Sequence, residues 1–570
     1  MEKRNESLPQ ILIDYIDALV KRAGGGSKVR LDIREELWCH FVDALAGLEN
    51  EQVREKSARE LIESFGDMNM LAKLIKRGKK RCRPLWQKVL LRSLFVLCAL
   101  IVGMVVYAVW FLMGSPAPSV DYLARLNTMT QPAAAAAENA WPHYEKAIAL
   151  YVEPEEVDKA RDLPEAAPGN GLDEAPERTD NRRLSTVIGG IAGGHTYTPF
   201  GRLKPEEQAA VSTWLDRNEE AWKHYLEASR KTYCYRPYDV GDAEGHPMLR
   251  NVLLPHLGSV RNLARVGVWR SERQAYENKA AEAVETCLTL LRAGRHWHQE
   301  KGTLIEQLVG QAIMRLGLEQ IIVTTAQSDF SADQLAAIQR DLAAICTDGF
   351  PTTAMDTERL MFEDTVQHSF TKGGPGGGHI APKAFNGMIQ EFIGGGDELA
   401  YLSLGLHAGR DRTLKMGSML YDRMEQIVAM SPYHVREGAI EKIDTLLEAD
   451  GKWRYALLRA MIPGINRVGE MRYQSKALYE ATLTILAAKR WQRDKGTLPE
   501  NLEQLKNAGY IAALPADPYS ADPLKYNIRD GDFVLYSVGS DFDDDGGTRD
   551  VEHVWGRAEP GADRVFWPVN

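Results

Sequence analysis

The chain has 570 residues, 44% of them hydrophobic, and a formal net charge of −10. That length leads to an expectation of two to four domains, and that apolar share suffices for a sizeable core. The acidic balance, with no basic face in the larger part of the chain, argues against nucleic acid as the main ligand.

Residues 8–77 read as a compact helical head. Ile11, Leu12, Tyr15, Ile16 and Leu19 recur at helical spacing. The run GGGS at 24–27 breaks that pattern, and Ile33, Leu37, Trp38, Phe41, Val42 and Leu45 then mark a second helix. A third spans 51–64 and stops at Gly66, and Asp67 caps a short fourth through Ile75. The runs DIREELWCHFVDAL and ARELIESFGDMNMLAKLI resemble the small helical prefix domains of bacterial membrane proteins, known as HAAS or permease-prefix domains. The resemblance implies that residues 1–80 form a cytoplasmic module that binds a protein partner and performs no catalysis. Cys39 and His40 fall on a helix face in this module and are read as structural.

Ser93 to Met113 is uncharged and almost wholly apolar. A helix of that length rises roughly 30 Å, the thickness of a bilayer's hydrocarbon core. Tyr107 and Trp110 suit an interfacial aromatic belt. A single transmembrane helix is therefore placed at 89–113. Lys73, Lys76, Arg77, Lys79, Lys80, Arg81, Arg83, Lys88 and Arg92 precede the uncharged run that starts at Ser93, and the next basic residue after it is Arg125. The positive-inside rule then puts the N-terminus in the cytoplasm and everything after about residue 114 outside. The expectation is a single-pass protein of the cell inner membrane, held by an uncleaved signal anchor, with a periplasmic body. The membrane itself is one partner, and the basic cluster suits anionic headgroups.

Helical patterns follow at 139–151, 203–229 and 253–297, continue to about 346, and recur at 353–370, 397–428, 434–448 and 466–494. Strand-like alternation is nearly absent there. The fold class is mainly α, with an irregular α-helical extracytoplasmic domain over 120–490. Residues 152–185, rich in Pro, Glu, Asp, Gly and Ala, read as a flexible surface loop. Cys234, Cys287 and Cys346 permit one disulfide plus a free thiol, or three buried thiols.

Composition changes near Asp494. Residues 524–528 and 533–538 are strand candidates joined at Asp530-Gly531, a hairpin dipeptide. Residues 491–570 are thus expected to form a small α+β cap with a short β-sheet. Asp541, Asp543, Asp545, Gly546 and Glu552 fit the spacing of a calcium loop. Calcium takes six to eight oxygens, and alternating carboxylates beside glycine let a chain curl around it, with the Gly547 carbonyl as a fourth donor. The run LPADPYSADPLKYNI, then VLYSVGSDFDDDGG, after a long helix and LPENLEQL, resembles the C-terminal part of type II secretion major pseudopilins. That resemblance implies a small sheet packed on a helix and a calcium loop in which Asp550 serves in place of Glu552. A pseudopilin's own N-terminal membrane helix and cleavage site are missing from this region, so filament assembly is not implied.

Other constellations carry less. His296 and His298 are two apart on a helix, with Glu300 four from His296, and read as a polar helix end. Asp356, Glu358, Glu363 and Asp364 read as a solvated helix face, and GGPGGGH at 373–379 as a loop. Neither G-x-S-x-G nor H-E-x-x-H occurs. The leading expectation is interaction or scaffolding rather than catalysis. The alternatives are an envelope hydrolase with a cleft in the helical body, and a component of a secretion or pilus-like apparatus.

Overall fold

A computed structural model describes residues 7–81, 85–160, 183–189, 198–241, 247–382, 405–440, 443–448, 454–462, 465–549 and 562–569. The chain forms two compact units, Met1–Trp110 and Phe111–Asn570. It is mainly helical, with a three-stranded sheet near the C-terminus.

The first unit holds α1 (Gln10–Ala23), α2 (Ser27–Ala44), α3 (Glu51–Ser64) and α4 (Met68–Arg81), followed by α5 (Leu85–Met113). Leu12, Ile16, Leu19, Phe41 and Ala58 close its core. The stops follow the expected chemistry. Gly66 takes a left-handed φ of 69° after α3, and the Asp67 carboxylate accepts the Asn69 amide at 3.1 Å to start α4. On α4, Met70 and Leu74 lie one turn apart and stay exposed, at 65% and 55%.

Val89–Met113 within α5 has a mean hydropathy of 2.7, and 6% of its most apolar stretch is buried. A helix in a soluble core would be mostly covered. This helix is long and apolar enough to cross a membrane.

The second unit continues with α6 (Tyr122–Thr130), α7 (Trp141–Ala149), α8 (Pro154–Ala160), α9 (Leu184–Gly189), α10 (Pro205–Arg217), α11 (Glu219–Ser229), α12 (His256–Tyr276), α13 (Ala280–Trp297), α14 (Leu304–Gln327), α15 (Ala332–Ile345) and α16 (Asp356–Ser369). After it come α17 (Arg410–Ala429), three short helices α18 (Pro432–Arg436), α19 (Ile443–Glu448) and α20 (Ala456–Met461), the long α21 (Ile465–Lys495) and α22 (Leu502–Asn507). α13 and α14 meet at glycine. A Cβ on Gly310 would stand 2.4 Å from the His298 amide nitrogen and 2.5 Å from the Gly294 carbonyl oxygen. Neither backbone has room to retreat, so the two helices need glycine there.

Strands β1 (Lys525–Arg529), β2 (Asp532–Ser537) and β3 (Arg564–Trp567) form an antiparallel sheet in the order β1-β2-β3. Arg529 pairs with Asp532 across the hairpin, and Asp530 and Gly531 both take positive φ, 52° and 83°. That is the geometry for which Asp-Gly is favoured. β3 had no counterpart among the expected strands.

Several expectations are corrected. Residues on both sides of the expected 490/491 boundary share apolar packing. One apolar cluster joins Cys287 of α13, Leu318 of α14, Leu342 of α15, Ala481 and Leu486 of α21, and Phe533, Leu535 and Trp567 of the sheet. The sheet thus packs into the same apolar cluster as these helices. The ends of the segment 152–185 are helical and packed. Val157 and Leu184 are buried, and the buried Asp158 carboxylate accepts the Leu184 amide at 2.8 Å. Residues 161–182 lie outside the described residues. The helix expected at 434–448 is interrupted after α18, where Gly438 has a φ of 77°. Of the two arrangements the sequence leaves open for Cys234, Cys287 and Cys346, the structure has three free, buried thiols, and burial pushes the Cys287 and Cys346 thiols up to about 12 and about 11.

Candidate functional site

The acidic loop leaves β2 at Ser537 and is built from its anchors outward. Asp517, 3% exposed, accepts the Ser537 hydroxyl at 2.7 Å, the Tyr519 amide at 2.9 Å and the Val538 amide at 3.0 Å. Phe542, at a φ of 67°, lays its ring edge-on to Tyr519 at 5.4 Å and beneath the Arg436 guanidinium at 4.3 Å. These contacts pin the loop's first turn. Its far side is held by Asp563, which no sequence spacing singled out. Asp563 is 2% exposed, accepts the Gly547 amide at 2.6 Å, and donates its own amide to the Thr548 carbonyl at 2.7 Å. Burial raises its carboxyl to about 6, against the two loop amides that favour its charge.

Asp541, Asp543 and Asp545 all lie on this loop. The Asp541 carboxylate accepts the Asp543 amide at 3.3 Å. One carboxylate oxygen of Asp545, Oδ2, has neither solvent exposure nor a hydrogen-bond partner. Desolvation first, then the charges of Asp541, Asp543 and Asp544, hold the Asp545 carboxyl above its ordinary range. Gly547 has a φ of 81°, and a Cβ on it would press on Val534 and Tyr536 at 3.2 and 3.3 Å. Asp544 is engaged otherwise: its Oδ1 accepts the Tyr536 hydroxyl and the Gly546 amide, each at 3.0 Å. Asp550 and Glu552 lie outside the described residues. Among the described residues, a triad of ligating atoms within 4.8 Å of one another occurs at His143, His224 and Glu227. Asp541, Asp543 and Asp545 form no such triad.

A hydrolase would need a substrate-sized cleft in the helical body. His256, His296, Tyr238, Glu306, Arg236 and Cys234 surround a cavity of ≈ 30 Å³, room for a water or two rather than a substrate. Its groups are mutually committed. His296 takes the Tyr144 hydroxyl on Nδ1 at 3.0 Å and gives Nε2–H to the Lys231 carbonyl at 2.8 Å. Tyr238 donates to Glu306 at 2.5 Å, and Glu306 also accepts the Thr303 amide at 2.9 Å, closing the N-terminus of α14. Burial lowers His256, His296 and His298 to about 4. His296 and His298 are therefore core histidines, not the polar helix end expected of them, because α13 is covered on nearly every side. A wider hollow of ≈ 540 Å³ is lined in part by Ser431, His434, Tyr473, Asp517 and Asp522. There Ser431 Oγ lies 2.7 Å from His434 Nδ1, but Ser431 is also the N-cap of α18.

The carboxylates of α16 are corrected as well. Asp364 is 1% exposed and accepts the Leu249 amide at 2.7 Å. Glu358 accepts the Leu304 amide at 3.0 Å, and its burial raises its carboxyl. They hold the starts of neighbouring segments instead of facing water, as Asp356 does. No protein-family model, curated protein or solved structure matches this chain.

Proposed function

We propose that the chain is a single-pass, bacterial-type membrane protein that acts by interaction or scaffolding. Its head faces the cytoplasm, α5 crosses the inner membrane, and the larger unit stands outside. The single observation that carries this reading is the exposure of α5. From Ser93 on it is apolar on every face and it is barely covered by protein, so in water it would expose apolar area far beyond what soluble proteins tolerate. The basic residues before it and their scarcity after it support the orientation. On the head, exposed Met70 and Leu74 offer a partner one apolar edge of α4.

Calcium is assigned to the acidic loop, with Asp541, Asp543, Asp545 and the Gly547 carbonyl as donors and Asp550 or Glu552 closing the shell. The orphaned Asp545 oxygen supports it. The cation offsets the repulsion among the aspartates and ties the loop to β2 and β3. Membrane fractions test the first claim: the full chain resists alkaline extraction. A chain released as a soluble protein would overturn it. Met70→Lys with Leu74→Lys leaves insertion intact while abolishing capture of the head's cytoplasmic partner.

A further inference from the structure

We propose that His143, His224 and Glu227 form a binding site for a borderline divalent transition cation of the zinc class. The site is separate from the acidic loop and rests on none of its residues. It begins as a pattern present twice in the sequence. Trp141-x-His143-Tyr144-x-x-Ala147 on α7 is repeated as Trp222-x-His224-Tyr225-x-x-Ala228 on α11.

The two helices run antiparallel. The Ala140 amide at the start of α7 donates to the Tyr233 carbonyl beyond the end of α11, at 2.8 Å. At the other end, the Val152 amide beyond α7 donates to Asn218, which precedes α11, at 2.9 Å. Between these ties Tyr144 and Tyr225 meet edge-to-face at 5.3 Å, both fully buried, and Ala147 and Ala228 are fully buried beside them. Small residues let the helices approach, and the tyrosine pair fixes their register. The residue before each tyrosine is then carried to the same patch of surface. In both helices that residue is histidine.

The geometry there is that of a ligand set. His143 Nδ1 lies 3.1 Å from Glu227 Oε2, and His224 Nδ1 lies 3.7 Å from the same oxygen. All three ligand atoms fall within 4.8 Å of one another. Nitrogen and oxygen ligands around a tetrahedral zinc, at about 2.0–2.1 Å each, stand about 3.3 Å apart. The observed separations bracket that value. Both Nδ1 atoms are covered and, close as they stand to the Glu227 carboxylate, neither meets it in hydrogen-bonding geometry, although each histidine side chain is 29% exposed. Two covered imidazole nitrogens that converge on one carboxylate oxygen without hydrogen-bonding geometry are arranged as ligands around a shared ion would be. Imidazole nitrogen selects zinc and its neighbours over calcium or magnesium, which take oxygen. Glu227, 57% exposed, leaves the fourth position open to water or to a donor from outside. The metal would clip α7 to α11.

The test uses the full chain in detergent micelles, stripped with chelator and titrated with Zn²⁺ by calorimetry and with Co²⁺ by visible absorption. The expected result is one equivalent bound, with the ligand-field bands of a four- or five-coordinate cobalt. His143→Ala and His224→Ala each remove a ligand, so affinity falls by more than the roughly 10- to 100-fold that losing an outer-shell partner costs. Glu227→Gln keeps the shape of the side chain and weakens binding with the fold intact. Asp541→Ala leaves the zinc stoichiometry unchanged. Melting in chelator, matched to wild type, shows that each variant is folded. No stoichiometric binding of either ion, or equal binding by His143→Ala, His224→Ala and Glu227→Gln, would overturn the proposal.

Discussion

The Gly547 amide donates to Asp563 Oδ2 at 2.6 Å, and through that bond β3 holds the acidic loop that leaves β2. Asp563 is nearly unexposed, and its carboxyl is raised to about 6. A raised carboxyl binds more protons in the folded state than in the unfolded one between about 4 and about 6. Stability therefore falls as pH rises through that window, and the raised Asp517 and Asp545 add in the same direction. With chelator present, amide exchange in residues 540–549 should be slower at pH 5 than at pH 7 after correction for intrinsic rates. Asp563→Asn should shrink that difference, because an amide does not titrate. A loop equally protected at both pH values would contradict the linkage.

Calcium should slow the same exchange at pH 7. An ion that binds only the folded loop stabilises it by about 2.7 kcal/mol at a hundredfold excess over Kd. Asp541→Ala and Asp545→Ala should abolish the increment. Asp544→Ala should lower protection equally with and without calcium, since Asp544 is occupied by Tyr536 and Gly546. Magnesium should substitute poorly, because it demands a tight octahedron.

Asp364→Ala should destabilise the body by about 1–3 kcal/mol, the cost of leaving the Leu249 amide buried without its partner. Asp356→Ala, on the same helix but exposed, should change little. Chemical denaturation of the full chain compares the two. Equal effects would return both residues to a solvated face.

The parts legible in the sequence were those with a local signature. The apolar run, the stop at Gly66, and the hairpin at Asp530-Gly531 each depend on residues a few positions apart. Asp563 and β3 were not legible, because four strand residues carry little pattern and their partner β2 lies far back in the chain. The carboxylates of α16 misled for a similar reason: Glu358 and Asp364 serve amides at Leu304 and Leu249, which no helical period reveals. His296 sits on, and His298 just beyond, a helix covered nearly all round, so periodicity gave no exposed face to compare. The doubled Trp-x-His-Tyr pattern was present in the sequence, but its meaning needs the antiparallel pairing of α7 with α11.

The central claim is the crossing at α5, and reporter fusions at residue 80 and at the C-terminus test it most directly. A cytoplasmic reporter should be active at residue 80 and silent at the C-terminus, and a periplasmic reporter should give the reverse. A cytoplasmic reporter active at the C-terminus would contradict the account.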